Sequence, residues 1–147
     1  VTSDADMESI IGTSMTEDDV RWFVAQPRIM FCSDGELHGP HPRGAGTFPR
    51  ILGHYVREQK VLPLELAVHK MTGLSAGNLG LTDRGRIAPG LVADLVLFDA
   101  ATVNDRSTIE HPEAPPSGIP FVMVGGEWVI ENGKPTGRHP GKVLKLH

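Results

Sequence analysis

A chain of 147 residues, 39% hydrophobic and 22% charged, is long enough for one ordinary domain and has the makeup of a globular protein. Its formal net charge of -4 and the lack of any basic run argue against nucleic acid as the main partner, and no apolar stretch approaches the roughly 18 residues of a membrane span. The opening, Val1 to Asp6, is polar and acidic with no secretory pattern, and the one cysteine, Cys32, excludes an internal disulfide and fits a reducing compartment, so a cytoplasmic location is expected.

Along the chain, Val1 to Ser14 has no strong period and reads as a loop. Thr16 is placed to cap a helix opening with Glu17, Asp18 and Asp19, acids that suit the positive end of a helix. Val20, Phe23 and Val24 share one face at helical spacing, and Pro27 stops the helix. Ile29-Met30-Phe31 is too short for a helix and reads as a buried strand running to Asp34, with Cys32 as a small buried residue on it. Gly35 to Gly46, rich in Gly, Pro and His, reads as a loop. Thr47 can cap a second helix with Phe48 and Pro49 in its first turn and Ile51, Leu52, Tyr55 and Val56 on its apolar face. A third helix is expected from near Pro63, carrying Leu64, Leu66, Ala67, Val68 and Met71 and ending at Gly73; Ser75 opens a further short helical turn through Leu79.

The pattern changes after Leu81. Thr82-Asp83-Arg84-Gly85 reads as a turn, Ile87 to Gly90 as a short extended piece, and Leu95-Val96-Leu97-Phe98 as a strand bounded by Asp94 and Asp99. Asn104 to Pro120 is a long Pro-rich loop. Phe121 to Val124 and Trp128 to Ile130 read as a hairpin joined through Gly125, Gly126 and Glu127, and Asn132-Gly133 as another turn. The tail from Lys134 is expected on the surface. The chain thus divides into a helix–strand–helix part, residues 1–82, and a β part, residues 83–147. A lone strand cannot make a parallel sheet, and the β part has open edges. Both parts therefore read as pieces of larger elements, whose partner strands come from elsewhere in a longer protein or from another chain.

Two stretches carry the chemistry. Asp34 follows an apolar run, at the position where catalytic residues collect in barrels of parallel strands. A carboxylate there can act as a general base or engage a metal; it can equally cap the next turn. Cys32 can be a nucleophile or a packed residue. The second stretch runs from His41 to Arg50. His38 and His41, three apart in a Gly/Pro loop, are a poor ligand pair without further ligands. His54 and His69 fall on helices, and His111, His139 and His147 in loops or the tail; all read as ordinary residues.

Cys32-Ser33-Asp34-Gly35, His41-Pro42-Arg43 and Gly46-Thr47-Phe48-Pro49-Arg50 together resemble the D-aminoacylases, the N-acyl-D-amino-acid deacylases of the amidohydrolase superfamily. The resemblance continues through Met71 to Ala76 and Gly85 to Val96 and ends at Val124 to Glu127, covering about residues 16–133. It implies an α/β fold: the last strand and helices of a (β/α)8 barrel, followed by the C-terminal part of a small β-sandwich domain. It implies zinc-dependent hydrolysis of the amide bond of an N-acyl-D-amino acid. Asp34 matches the family's catalytic aspartate, the general acid/base that takes a proton from the attacking water and passes it to the leaving amine. Arg43 matches the arginine that grips the substrate α-carboxylate, a task suited to a planar guanidinium fork. Arg50 is assigned a structural role. The zinc ligands belong to earlier strands, so no metal ligand is expected in this segment, which alone should be inactive. Two features depart from the family pattern: the loop from Asp34 to Arg43 is slightly short and carries Glu36 and His38, and Gly44 and Ala45 stand where a bulkier apolar residue is expected. The competing readings are another amidohydrolase acting on cyclic amides, against which the His41–Arg50 stretch speaks, and a non-catalytic module that keeps the scaffold without the metal centre.

Overall fold

Thr16 starts the first helix through a capping box. Its hydroxyl accepts from the Asp19 amide (3.3 Å), and the Asp19 carboxylate accepts from the Thr16 amide (3.0 Å), so two donors at the helix start are satisfied reciprocally. The Thr16 hydroxyl (2.6 Å) and then the Thr16 amide, both donating to the Asp19 carboxylate, hold it below its ordinary pKa. Helix α1 follows over Glu17–Ala25 and ends before Pro27. The computed structural model describes residues 12, 14–36 and 39–144. The expected opening loop, His38 and the last residues of the tail lie outside the described residues.

After α1 the order is α2 (Arg43–Arg50), a π-helical segment (Ile51–Glu58), α3 (Leu64–Met71), α4 (Gly73–Asn78), then strands β1 (Leu95–Leu97), β2 (Phe121–Val124), β3 (Glu127–Glu131) and β4 (Lys134–Pro135). The helices close on one apolar cluster of Val24, Ile51, Tyr55, Leu62 and Ala67, with Val20, Phe31, Val56, Val61, Leu66 and Met71 packed around it. The strands form one antiparallel sheet in the order β1-β2-β3-β4. Gly125 and Gly126, both at positive φ (57° and 86°), turn β2 into β3, and Asn132 and Gly133 (52° and 73°) turn β3 into β4. Positive φ at both central residues matches the twist of adjoining strands, which is why Gly-Gly and Asn-Gly pairs serve.

Several sequence expectations are corrected. Ile29 to Asp34 forms no paired strand; it is tied into the fold by the Phe31 amide on the Lys70 carbonyl (3.2 Å), by Asn78 on the Met30 sulfur (3.7 Å) and by Arg43 on Asp34, while Ile29, Met30 and Cys32 are exposed. A strand requires a neighbour to take its hydrogen bonds, and no described residue supplies one. Phe23, expected on the buried face of α1, is 44% exposed and meets Trp22 edge-on. Ile87 lies outside any strand, and Gly90 turns at φ 84°. Gly44 to Gly46, expected in a loop, are helical: α2 starts at Arg43, and Thr47 lies inside it with its hydroxyl on the Arg43 carbonyl (2.8 Å). Pro49 stands within α2, and the wider π winding follows directly on it; the proline ring opposes a tight turn against the residue four before it. The π segment still buries Ile51, Leu52 and Tyr55. Helices α3 and α4 meet at Thr72, so the expected stop at Gly73 is the start of α4.

Lys70 is fully buried although its position on α3 carried no such signal. Its ammonium donates to the Val24 carbonyl at the end of α1 and lies 4.1 Å from the centre of the Phe31 ring. Its own carbonyl accepts from Phe31 and from the Ser75 hydroxyl (2.9 Å). One side chain thus joins α1, α3 and the segment leading to Asp34.

Candidate functional site

The two residues singled out for chemistry are brought together. The Arg43 guanidinium holds Asp34 twice, Nη2 to the carboxylate Oδ2 (2.9 Å) and Nε to the main-chain carbonyl (2.8 Å). Asp34 sits at φ 47°, in the left-handed region that side chains seldom adopt, and its side chain is 76% exposed. The following glycine makes the approach possible: a Cβ on Gly35 would fall 2.5 Å from the Gly44 Cα, so Gly35 and Gly44 touch backbone to backbone. The residues just before them, Asp34 and Arg43, are thereby placed side by side.

The start of α2 is fixed from two directions. His41 turns its Nδ1 back to accept from the Arg43 amide (3.0 Å). From the β part, the Ser107 hydroxyl shares its one proton between the Pro42 carbonyl (2.9 Å) and the Asp105 carboxylate (2.7 Å), which also accepts from the Ser107 amide (2.8 Å). Sequence reasoning missed this Asp105–Ser107 turn; its signal, an Asp two residues before a Ser, is common to ordinary loops. Below it, Arg57 reaches the Ala100 and Val103 carbonyls, and Val103 is fully buried. The helical and β parts are therefore joined under the site. Arg50 lies 6.0 Å from the Tyr55 ring centre.

Gly46 explains why this helix carries glycines. A Cβ there would collide with Ser107 Oγ and lie 2.5 Å from Asp105 Oδ1, whereas a Cβ on Gly44 would find its nearest neighbour, the Glu36 carbonyl, at 3.7 Å. Gly46→Val is expected to cost about 1–3 kcal/mol by overpacking, and Gly44→Ala to be neutral or to stabilise by up to about 1 kcal/mol through helix propensity. Thermal denaturation of the pair, side by side, checks the contrast.

An open cleft adjoins the site, lined by Gly39, Pro40, and Glu110 to Ala114; neither Asp34 nor Arg43 lines it. Among the described residues no group of three or more His, Cys, Asp or Glu side chains could hold a metal ion, so the described residues do not by themselves form a zinc site. Asp94 and Asp99, read as turn residues, are engaged locally. Asp94 accepts from Arg84 (2.6 Å) and from the Gly125 amide (2.7 Å), while Asp99 accepts from the Ala101 amide and the Thr102 hydroxyl, bonds that lower its pKa. No helix among the described residues is long and apolar enough to cross a membrane.

The chain is 50% identical over 132 residues to a D-aminoacylase of Alcaligenes xylosoxydans xylosoxydans, a match that takes in 88% of this chain and 27% of that protein. A crystal structure of a D-aminoacylase superposes with a TM-score of 0.85 at 50% identity, over 90% of this chain and 28% of that one. The N-acyl-D-glutamate deacylase of Bordetella bronchiseptica, solved with zinc and a phosphonate mimic of the tetrahedral intermediate, superposes with a TM-score of 0.73 at 42% identity, over 82% of this chain and 27% of that one. The chain thus spans about a quarter of the length of the relatives it matches. Residues 13–130 match the model of the Amidohydrolase family, a span that runs from before α1 into β3 and includes both Asp34 and Arg43. A match over that much of the sequence, with α/β content and a small antiparallel sheet to go with it, shows that the chain belongs to the amidohydrolase family.

Proposed function

We propose that the protein containing this chain hydrolyses the amide bond of N-acyl-D-amino acids to a carboxylate and a free D-amino acid. The observation that carries the reading is the Asp34–Arg43 pair at 2.9 Å, a proton-transfer carboxylate beside a guanidinium able to bind a carboxylate. Its support is the similarity to D-aminoacylase and to an N-acyl-D-glutamate deacylase.

In this reading residues 1–82 are the last strand and helices of a (β/α)8 barrel, and residues 83–147 are the C-terminal part of a small β-sandwich domain with its tail. The exposed sides of Ile29, Met30 and Asp34 then face the rest of the barrel. The cofactor is zinc, held by residues outside this chain, in line with the zinc present in the Bordetella enzyme. The lone Cys32 suits a cytoplasmic setting.

Asp34 is the general acid/base. It takes a proton from the water that attacks the amide carbon and delivers it to the leaving nitrogen, so one carboxylate serves both steps. Arg43 anchors the substrate α-carboxylate, which fixes the reacting amide relative to Asp34. The full-length protein, loaded with zinc, is expected to release D-amino acids from N-acetyl-D-amino acids and little from their L-enantiomers; this chain alone is expected to show no turnover. Release of amino acid measured on both enantiomers tests the reading, and opening of cyclic amides without D-amino-acid release would overturn it.

A further inference from the structure

Resting on that reading, we propose that Arg43 is also the positioning residue for Asp34, working through one edge of its guanidinium while the other edge takes the substrate carboxylate. An arginine offers two bidentate edges, one made by Nε with a terminal nitrogen and one made by the two terminal nitrogens. Here the first edge is spent entirely on Asp34, with Nε on its main-chain carbonyl (2.8 Å) and Nη2 on its carboxylate (2.9 Å). Nη1 makes no hydrogen bond or ion pair among the described residues. The fork therefore holds backbone and side chain of the same residue and keeps an edge for a second carboxylate.

The backbone shows why Asp34 needs holding. At φ 47° it occupies the sparsely populated left-handed region, which an aspartate enters where local bonds favour it. Its side chain is largely exposed, so packing does not fix the rotamer. Arg43 is well placed to do so. It opens α2, its amide is held by His41 Nδ1 (3.0 Å), the preceding Pro42 carbonyl is held by Ser107 (2.9 Å), and Gly44 abuts Gly35. An exposed ion pair adds little to stability; here its geometry sets where the proton acceptor stands.

The two roles of Arg43 separate experimentally. Anchoring appears in KM and only for substrates with an α-carboxylate. Positioning appears in kcat, and in kcat/KM for amides without that carboxylate. In the full-length zinc-loaded protein, Arg43→Met is expected to raise KM for N-acetyl-D-phenylalanine and also to lower kcat at saturation by about 10- to 100-fold. On N-acetylphenethylamine, which lacks the carboxylate, kcat/KM is expected to fall by a similar factor. Arg43→Lys, with a point charge in place of the fork, is expected to recover part of KM and little of kcat. A crystal structure of Arg43→Met is expected to show Asp34 leaving φ near +47° or its carboxylate moved from the wild-type place. An unchanged kcat overturns the positioning role. So does an Asp34 that keeps its φ and rotamer in the variant, whatever the activity. A wild-type protein that releases no D-phenylalanine sinks the functional reading instead, and the crystal structure still decides the positioning role.

Discussion

Asp34→Asn in the full-length protein is expected to lower kcat on N-acyl-D-amino acids by about 10²- to 10⁴-fold, the usual contribution of a general acid/base. KM is expected to change little. Asparagine keeps the size of the side chain and tolerates the left-handed backbone at φ 47°, so the turn and the main-chain bond to Arg43 Nε should survive. What is lost is the ability to take and return a proton. Steady-state kinetics on N-acetyl-D-amino acids, with circular dichroism to show an unchanged fold, measures this. A variant with wild-type kcat would reduce Asp34 to a turn residue clasped by Arg43.

Lys70 leads to the second large effect. Lys70→Ala is expected to destabilise the protein by about 2–5 kcal/mol, as other long-to-short truncations in cores do. Lys70→Met fills a similar volume without the ammonium and is expected to lie within about 1.5 kcal/mol of wild type, or above it, because no carboxylate among the described residues compensates the buried charge. Burial holds the Lys70 ammonium below its ordinary pKa of 10.5, since removing water penalises the charged form. Between the folded value and 10.5 the unfolded chain therefore binds more protons than the folded one, and stability rises with pH across that window. The stability of wild type relative to Lys70→Met should accordingly improve as pH climbs toward 10.5, and the penalty should be full below the folded value. Urea denaturation of both proteins across alkaline pH measures it; a difference that does not vary with pH would mean the ammonium is solvated in the fold.

The features visible in sequence are those with local causes. Thr16 and the acids after it gave the start of α1, because a capping box is written in four consecutive residues. Gly125-Gly126 and Asn132-Gly133 marked the two tight turns, because both need positive φ. Asp34 and Arg43 stood out as residue types in unusual loop surroundings, and the structure pairs them. What escaped notice depends on contacts distant in sequence. Gly44 and Gly46 looked like loop residues, yet they are helical; Gly46 faces Asp105 and Ser107 about sixty positions later, and Gly44 abuts Gly35. Lys70 sits among apolar residues on α3, and only the meeting of α1 with Phe31 accounts for its burial. The chemistry of Cys32 and Ile29 favours burial, but burial needs a covering element, and none of the described residues covers them. Strand β4 was missed because two residues, one of them Pro135, carry no period.

The assignment of Asp34 to proton transfer is tested most directly by a crystal structure of the full-length protein with zinc and a phosphonate mimic of an N-acyl-D-amino acid. The expected result is the Asp34 carboxylate about 2.6–3.2 Å from the phosphonate oxygen that stands for the attacking water, with Arg43 bidentate on the inhibitor's α-carboxylate. An Asp34 carboxylate turned to bulk solvent, with the phosphonate and the metal bound elsewhere, would contradict it.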